Sequence, residues 1–268
     1  MRIVNYKSGL GNQLFYYLFT LYLKDKYPTE TIYGYYNKKF LKKHNGLEIQ
    51  KVFDIELPKE KWKSNIVAWL CRKLNGIGVP YLKASDKSIN NKSIYFDGWW
   101  QDQKFYLGNL KKIKYREIHL DEQNSYILNT IKNSYSVSIH IRRGDYMLPQ
   151  FMGQYGNIAT IEYYKKAINI AISQNRRDLC FFVFSDDMEW AKANLVLKDA
   201  IYVTNNKGED SFKDMYLMSF CNVNILANST FSYWGAMLNK NPQHTVIYPA
   251  KWNNYETPDI FPKEWIGL

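Results

Sequence analysis

Short runs of β-branched and aromatic residues alternate along this chain with longer segments in which apolar residues recur at helical spacing. The first run, residues 2–5, leads into a glycine-rich turn at residues 7–11. An apolar helix follows from Asn12 to about Lys26, and Pro28 ends it. A strand, a glycine turn and a helix in this order are typical of the opening of a nucleotide-binding α/β sheet.

A second series of alternating elements begins near residue 120. The predicted strands cover residues 136–141, 179–184, 201–204, 223–226 and 245–248, and the first half adds a strand at 93–96. The predicted helices cover residues 121–133, 161–173, 188–195, 210–220 and a segment ending at 238, and the first half adds one at 60–74, closed by Asn75-Gly76. The alternation predicts parallel sheets in two doubly wound domains, residues 1–120 and 121–268, with a cleft between them.

Composition and charge narrow the class of protein. Apolar residues make up 46% of the 268 residues without low-complexity tracts, which indicates an ordered fold. Aromatic residues reach 17%, and their flat apolar faces suit both a core and sugar stacking. The net charge of +11 favours anionic partners: nucleotides, nucleic acid or an acidic membrane surface.

Cysteine usage and hydropathy indicate a cytoplasmic protein. Cys71, Cys180 and Cys221 form no C-x-x-C pair, so neither a disulfide framework nor a zinc site is predicted. The apolar stretch at residues 14–23 is too short to span a bilayer and lacks a signal-peptide pattern. Clustered lysines still favour peripheral contact with an anionic membrane surface.

The segment Ser138-Ile-His-Ile-Arg-Arg-Gly-Asp-Tyr146 carries the strongest chemical signal. Arg142 and Arg143 follow a predicted buried strand, and the carboxyl ends of strands are where open α/β sheets bind ligands. Planar, permanently charged guanidinium groups suit a pyrophosphate. For the Arg-Arg pair alone, a solvated loop is the alternative interpretation.

Three other segments contain polar residues at turns. Gly9-Leu-Gly-Asn-Gln13 and Asn228-Ser-Thr-Phe-Ser232 each open a predicted helix, where free N–H groups bind anions, although Ser, Thr and Asn also serve as simple helix caps. Asp186 and Asp187 end a predicted strand and suit a metal, a ribose, a guanine edge or a helix cap. Without a third carboxylate or a D-x-D pattern, no metal site is predicted.

Together, the motifs at residues 9–15, 140–146 and 228–236 resemble those of the bacterial α-1,2-fucosyltransferase family, in the same order. Segments 185–187, 214–218 and 249–252 look similar too, so the resemblance spans the chain. It implies a GT-B-like α/β fold of two facing Rossmann-like domains, the N-terminal one on the acceptor side and the C-terminal one binding GDP-fucose. It also implies inverting transfer of fucose to the 2-hydroxyl group of a galactoside on a glycan or lipid-linked oligosaccharide, without a metal or other cofactor.

The resemblance also implies roles for individual residues. Arg142 would bind the β-phosphate with help from Arg143, and His140 would contact the nucleotide. Asp145 would hold the arginines or touch the donor, and Asn12 would face the reacting centre. The other implied donor-binding residues are Gly11, Asp186 and Asp187, the latter two for guanine or ribose, and Asn228, Ser229, Thr230 and Ser232 around the phosphates.

Several alternatives stay open. The catalytic base is not singled out among Asp97, Asp102, Asp145 and Glu162. Asn12 could instead cap the first helix. Another linkage or acceptor on the same donor chemistry is the main rival function. A non-catalytic protein binding nucleic acid or acidic lipid is a remote rival, because it depends on the net charge alone, and we expect no nucleic-acid partner.

Overall fold

The computed structural model describes residues 1–75, 83–86, 89–174 and 178–268. The chain divides into two compact units, Met1–Ile118 and His119–Leu268, here called unit 1 and unit 2. The division falls two residues before the boundary predicted from the sequence.

Unit 1 is built on a four-stranded parallel sheet. Its strands are β1 (Arg2–Tyr6), β2 (Ile32–Tyr36), β3 (Lys83–Ala84) and β4 (Tyr95–Phe96), in the order β2-β1-β4-β3. Its helices are α1 (Leu10–Lys26), α2 (Lys38–Leu41), α3 (Ile49–Val52), α4 (Trp62–Asn75) and α5 (Gln103–Tyr106), followed by a 3-10 helix at Leu107–Lys112. Strands β1 and β4 are the two central strands and pair in parallel, so the loops after these two strands lie next to each other at the carboxyl edge of the sheet.

The core of unit 1 lies where α1 covers the sheet. All of β1 is buried, and most of α1 is buried as well. The ring of Phe19 stacks on the indole of Trp100 with centroids 3.9 Å apart. Helix α1 begins at Leu10, two residues earlier than predicted, because Gly9 is its N-cap.

Unit 2 is built on a six-stranded parallel sheet. Its strands are β5 (Tyr135–Ile141), β6 (Leu179–Ser185), β7 (Ile201–Val203), β8 (Val223–Ile225), β9 (Thr245–Tyr248) and β10 (Ile266–Gly267). Its helices are α6 (Glu122–Lys132), α7 (Pro149–Tyr155), α8 (Ile161–Gln174), α9 (Met188–Asn194), α10 (Phe212–Met218) and α11 (Thr230–Met237), with 3-10 turns at Asp145–Met147 and Gly208–Asp210. The spatial order is β10-β9-β8-β5-β6-β7, which is the 3-2-1-4-5-6 order of a dinucleotide-binding sheet.

The centre of unit 2 is β5, which pairs with β6 on one side and β8 on the other. Its residues are buried from Ser136 to Ile141, and α8 contributes Tyr164, Ala167 and Ile168 to the same core. The topological switch point lies between β5 and β8, because the connections from these strands run in opposite directions along the sheet.

The predicted α/β class with parallel sheets is confirmed. Strand β9 has the predicted bounds. Helix α10 begins two residues later than predicted, after a separate 3-10 turn, and ends two residues earlier. Strand β2 and helix α7 were not predicted. The predicted closure of α4 at Gly76 lies outside the described residues. Among the helices of the described chain, none is both long enough and apolar enough to cross a membrane.

Candidate functional site

The switch point of unit 2 brings two of the predicted motifs together. Residues 142–146 follow β5 and residues 226–230 follow β8, which are neighbouring parallel strands. The hydroxyl group of Tyr146 donates a hydrogen bond to the backbone carbonyl of Asn228 at 3.1 Å. Strand β6, on the other side of β5, adds Asp186 and Asp187 at the same edge.

Arg142 is held between two carboxylates. Its Nη2 donates to Asp145 Oδ1 at 2.7 Å, and its Nη1 lies 3.0 Å from Asp186 Oδ2. Burial acts to lower the pKa of Arg142, but Asp186 and Asp145 raise it above the ordinary value, so the guanidinium stays charged. The side chain remains 30% exposed, which leaves it accessible to a ligand.

Arg143 is oriented by β6 and α9. Its backbone N–H donates to Asp186 Oδ1 at 2.8 Å, and its Nε donates to Asp187 Oδ2 at 3.0 Å. The guanidinium carbon lies 4.2 Å from the ring centroid of Trp190. Asp187 also caps α9 by accepting from the backbone N–H of Trp190. All four carboxylate oxygens of the Asp186-Asp187 pair therefore have partners within the protein.

Gly144 permits this close arrangement. A Cβ atom added there would lie 2.6 Å from Asp186 Oδ2, the oxygen that pairs with Arg142. Any side chain at position 144 would therefore displace the carboxylate. The glycine of the Arg-Arg-Gly-Asp segment is required by this contact.

The turn after β8 opens α11. Ser229 is the N-cap residue, and its hydroxyl oxygen accepts from the backbone N–H of Phe231. Asn228 donates from Nδ2 to the carbonyls of Tyr155 and Trp252, and the buried Ser232 hydroxyl donates to backbone carbonyls. The side chains of Asn228 and Ser232 thus shape the turn.

Thr230 is partly exposed at the first position of α11, beside the N-cap. Together with the free N–H groups of the first helical turn, it offers hydrogen-bond donors that suit an anion.

His140 lies inside the strand end beneath α11. Its ring centroid is 5.7 Å from that of Phe231, and its backbone carbonyl accepts from the Tyr164 hydroxyl group at 2.9 Å. Its Nδ1 is buried and has no hydrogen-bond partner in the described structure. Burial lowers the pKa of His140 to about 4; the negative charge of Asp186 opposes the shift, and the positive charge of Arg142 adds to it. The imidazole is therefore neutral at physiological pH.

Asp214 is a site residue that the motif analysis did not single out. It lies in the first turn of α10, after β7, and its Oδ1 accepts from Asn206 Nδ2 at 2.7 Å. Burial raises the pKa of Asp214 to about 7, although the hydrogen bond from Asn206 acts to lower it. The only sequence signal was the likeness of segment 214–218 to the family. A perturbed carboxyl group at this edge is typical of a binding site.

The glycine-rich motif lies in unit 1, at the start of α1. Asn12 is the third residue of the helix, so the alternative that it caps the helix is wrong. Its Nδ2 donates to Ser8 Oγ at 3.1 Å, and its Oδ1 accepts from Gln101 Nε2 at 3.1 Å. Gly11 is buried within the same turn. Asn12 thereby connects the loops that follow β1 and β4.

Gln13 has a structural role that the sequence did not reveal. Its side chain is fully buried. Its Oε1 accepts from the backbone N–H groups of Glu48 and Ile49, and its Nε2 donates to the carbonyls of Ser8 and Gly46. Gln13 therefore holds the start of α3 against the glycine-rich turn.

Asp97, a candidate base, ends β4 beside these loops. Its Oδ1 accepts from Asn5 Nδ2 at 2.8 Å and lies 2.9 Å from Lys7 Nζ, while Lys83 Nζ lies 3.2 Å from Oδ2. Burial acts to raise the pKa of Asp97, but Lys7, Asn5 and Lys83 lower it below the ordinary value. Such a carboxylate is a weak base.

Trp99 and Trp100 have opposite environments in the loop after β4. Trp100 is fully buried and has a positive φ of 57°, whereas Trp99 is 41% exposed. Asp86 accepts from the backbone N–H groups of both residues. The ammonium group of Lys7 lies 4.6 Å from the Trp99 ring centroid. An exposed indole is thus held in the loop after β4, beside Lys7 in the loop after β1.

The candidate bases Asp102 and Glu162 each lie at the start of a helix. Asp102 caps α5 and pairs with Lys104, and Glu162 is in the first turn of α8. Backbone and side-chain hydrogen bonds at that turn lower the pKa of Glu162. Within the described residues, no group of three His, Cys, Asp or Glu side chains has the geometry of a metal site.

Comparisons with known proteins agree with the motif analysis. The family model for "Glycosyl transferase family 11" matches residues 3–268. The chain is 33% identical over 192 residues to an alpha-1,2-colitosyltransferase of Escherichia coli, covering 68% of this chain and 66% of that protein. It is 24% identical over 220 residues to galactoside alpha-(1,2)-fucosyltransferase 1 of Saimiri boliviensis boliviensis, covering 75% of this chain and 56% of that protein. The aligned regions thus span only part of each relative.

The fold has a counterpart among solved structures. The crystal structure of NodZ alpha-1,6-fucosyltransferase, co-crystallized with GDP, superimposes with a TM-score of 0.51 at 13% identity, covering 88% of this chain and 92% of that one. At this level of identity, the likeness shows the fold alone. It confirms the predicted GT-B-like α/β class.

Proposed function

Since this chain belongs to glycosyl transferase family 11, we propose that it transfers L-fucose from GDP-fucose to the 2-hydroxyl group of a terminal galactoside, with inversion at the anomeric carbon. The observation that carries the proposal is the Arg142-Arg143 pair at the switch point of the six-stranded sheet, held by three carboxylates. A fixed pair of guanidinium groups at this position suits a nucleoside diphosphate.

In this proposal, the arginines stabilise the leaving group. The acceptor hydroxyl oxygen bonds to the anomeric carbon as the bond from that carbon to the diphosphate oxygen breaks, its proton is released to solvent, and GDP leaves with the added negative charge. Arg142, Arg143 and the N–H groups at the start of α11 neutralise that charge, with Thr230 beside them. Asp145, Asp186 and Asp187 act as positioning residues for the arginines, and His140 contacts the nucleotide as a neutral group.

Asp214 is our proposed partner for the guanine base. A carboxylate accepts two hydrogen bonds from the N1–H and N2–H groups of guanine, an arrangement that adenine cannot provide. Asp214 follows β7, two strands from β5, at the same edge of the sheet as the arginines. Asn206 orients Oδ1 through one of its lone pairs and leaves the other lone pair and Oδ2 to the ligand. Asp214→Ala removes both hydrogen bonds to guanine, so it should raise the KM for GDP-fucose more than Asn206→Ala does.

Trp99 is our proposed platform for the acceptor sugar. A β-galactoside has a continuous patch of C–H groups on one face, because its 4-hydroxyl group is axial, and such a patch packs well on an indole ring. Lys7 lies over Trp99, and Asp97 and Asn12 are in the same pair of loops, so hydrogen-bonding groups surround the ring. Trp99→Ala should raise the KM for the acceptor at least about tenfold, which is about 1.4 kcal/mol, and leave the KM for GDP-fucose unchanged.

A direct assay tests the function. Purified protein is incubated with GDP-fucose and a panel of β-galactosides, and the product linkage is determined by NMR. We expect a fucosyl α-1,2-galactoside. A product with another linkage would overturn the proposed regiochemistry, and the absence of any transfer with GDP release at background level would overturn the donor.

A second donor is favoured by one relative. The similar Escherichia coli protein is named a colitosyltransferase, and colitose differs from fucose only in lacking the 3-hydroxyl group. The same diphosphate and guanine contacts would serve GDP-colitose. A competition assay with both donors at equal concentration decides between them, since the preferred donor gives the higher kcat/KM.

A further inference from the structure

Helix α4 carries an exposed apolar stripe. Trp62, Ile66, Trp69 and Leu70 are 68%, 49%, 56% and 43% exposed. At roughly 100° of rotation per residue, these four positions fall within an arc of about 100° on one side of the helix. Large apolar side chains this exposed, and this regularly spaced, are unusual on the surface of a monomeric soluble protein.

The stripe has no part in the core of unit 1. The helix packs on the sheet through its other side, where Ala68 and Cys71 are buried against Ile3 and Tyr95. Sheet packing therefore explains the buried residues of α4, and among the described residues it gives the exposed tryptophans no structural reason. A second surface of contact would give them one.

Exposed basic residues border the stripe. Five cations and one carboxylate, Glu60, lie in and next to α4; the cations are Lys59, Lys61, Lys63, Arg72 and Lys73. Lys63 Nζ lies 5.6 Å from the Trp62 ring centroid, and Lys73 Nζ lies 5.9 Å from that of Trp69. Positive charge and indole rings are thus interleaved on a single surface.

We propose that α4 docks unit 1 on the surface of an anionic phospholipid bilayer. The helix would lie in the plane of the interface, with Trp62, Ile66, Trp69 and Leu70 in the boundary between headgroups and acyl chains. The lysines would contact lipid phosphates. Tryptophan is enriched at this boundary, and basic amphipathic helices bind there through apolar burial and attraction to anionic lipid. An apolar groove on a partner protein would cover the exposed apolar side chains but would leave the bordering basic residues without anionic partners. An anionic membrane provides for both, so charge complementarity favours the membrane.

The docking surface is separate from the arginine cluster, which lies in unit 2. The inference therefore holds whatever the donor or acceptor is, and it can fail while the proposed function stands.

Vesicle sedimentation tests the inference. The full chain is mixed with vesicles of phosphatidylcholine alone, or of phosphatidylcholine and phosphatidylglycerol in equal parts, and the bound fraction is measured after centrifugation. We expect at least about tenfold stronger partition into the anionic vesicles, weakened as NaCl rises from about 0.05 to about 0.5 M. The double variant Trp62→Ser/Trp69→Ser should lose at least about tenfold of that partition.

The matched control is Tyr126→Ser on α6, whose side chain is 65% exposed and lies in unit 2. It should bind vesicles like the wild type. Far-UV circular dichroism and Tm of each variant establish that it is folded, and the single variant Trp62→Ser replaces the double one if the latter is unfolded. Equal sedimentation of the wild type and the tryptophan variants would overturn the inference.

A second copy of the chain is the rival occupant. If the wild type shows no vesicle binding but forms a concentration-dependent dimer that the double variant abolishes, the stripe is a self-association surface and the membrane inference is wrong. Light scattering coupled to size-exclusion chromatography makes this measurement on the same samples.

Discussion

Arg142 makes a pair of contacts that requires an arginine side chain. It reaches Asp145 and Asp186 with two different terminal nitrogens, which a lysine ammonium cannot reproduce in the same plane. We expect Arg142→Lys to lower kcat/KM by about 10²–10³, in the range seen when a donor to developing negative charge is removed. Arg116→Lys is the matched control, because Arg116 donates to the carbonyl of Phe53 in unit 1. Near wild-type kcat/KM in Arg142→Lys would exclude the proposed role.

His140 predicts a particular dependence of stability on pH. Its pKa is about 4 in the folded protein, against 6.5 ordinarily, so the unfolded chain binds its proton first as the pH falls. Between those two pH values, acid therefore destabilises the fold. When the pH falls from 7 to 4, the free energy of unfolding should decrease by about 3 kcal/mol more for the wild type than for His140→Gln. Urea titrations at several pH values make the comparison, and parallel curves for the two proteins would contradict it.

Substitution of Asn12 distinguishes a role in the site from a role in stability. In the described structure the Asn12 side chain bonds to Ser8 and Gln101 in two loops, whereas the side chain of the neighbouring Gln13 is buried with four hydrogen bonds. We expect Asn12→Ala to melt within a few degrees of wild type and to lose at least about tenfold in kcat, about 1.4 kcal/mol. Gln13→Ala should show the larger fall in Tm. An unchanged kcat for Asn12→Ala would mean that this loop contributes scaffold and no chemistry.

At the scale of elements, the conformation of the loop after β5 requires a glycine at position 144. Gly144→Ala would push against Asp186 and release Arg142 from one of its carboxylates. We expect at least about a tenfold rise in the KM for GDP-fucose with a small change in Tm. Gly153→Ala on α7 is the control, since a Cβ there has no atom within 4 Å. Equal donor KM values for the two variants would show that Asp186 has room to move.

The elements also show what the sequence can and cannot predict. Strands β5, β6 and β9 were predicted to within a residue because each is a short run rich in β-branched or aromatic residues, with a buried middle. Strand β2 was missed because Gly34 and its tyrosines carry no apolar run, and β3 was missed because it is only two residues long. Strand β4 was predicted, but it begins two residues later than expected. The motifs located the Arg142 cluster. The Trp190 contact and the pKa of Asp214 depend on tertiary packing, which no local pattern encodes.

For the whole molecule, the proposed chemistry requires no metal. Arg142, Arg143 and the start of α11 supply the positive charge that a divalent cation would otherwise provide. We expect kcat to be unchanged after exhaustive treatment with EDTA. If chelation abolishes turnover and Mg²⁺ or Mn²⁺ restores it, Asp186 and Asp187 must be reconsidered as ligands.

The central position of β1 has a consequence for how the chain is made. The strand pairs with β2, about 30 residues later, and with β4, where Ile3 lies beside Tyr95. At about 5–20 residues per second, a ribosome needs roughly 5–20 s to synthesise the 92 residues between those two partners. During that interval one edge of a fully buried strand has no partner, and an unpaired apolar edge is a template for aggregation. The nascent chain should therefore depend on a chaperone until β4 has emerged, and refolding yields should fall steeply as protein concentration rises.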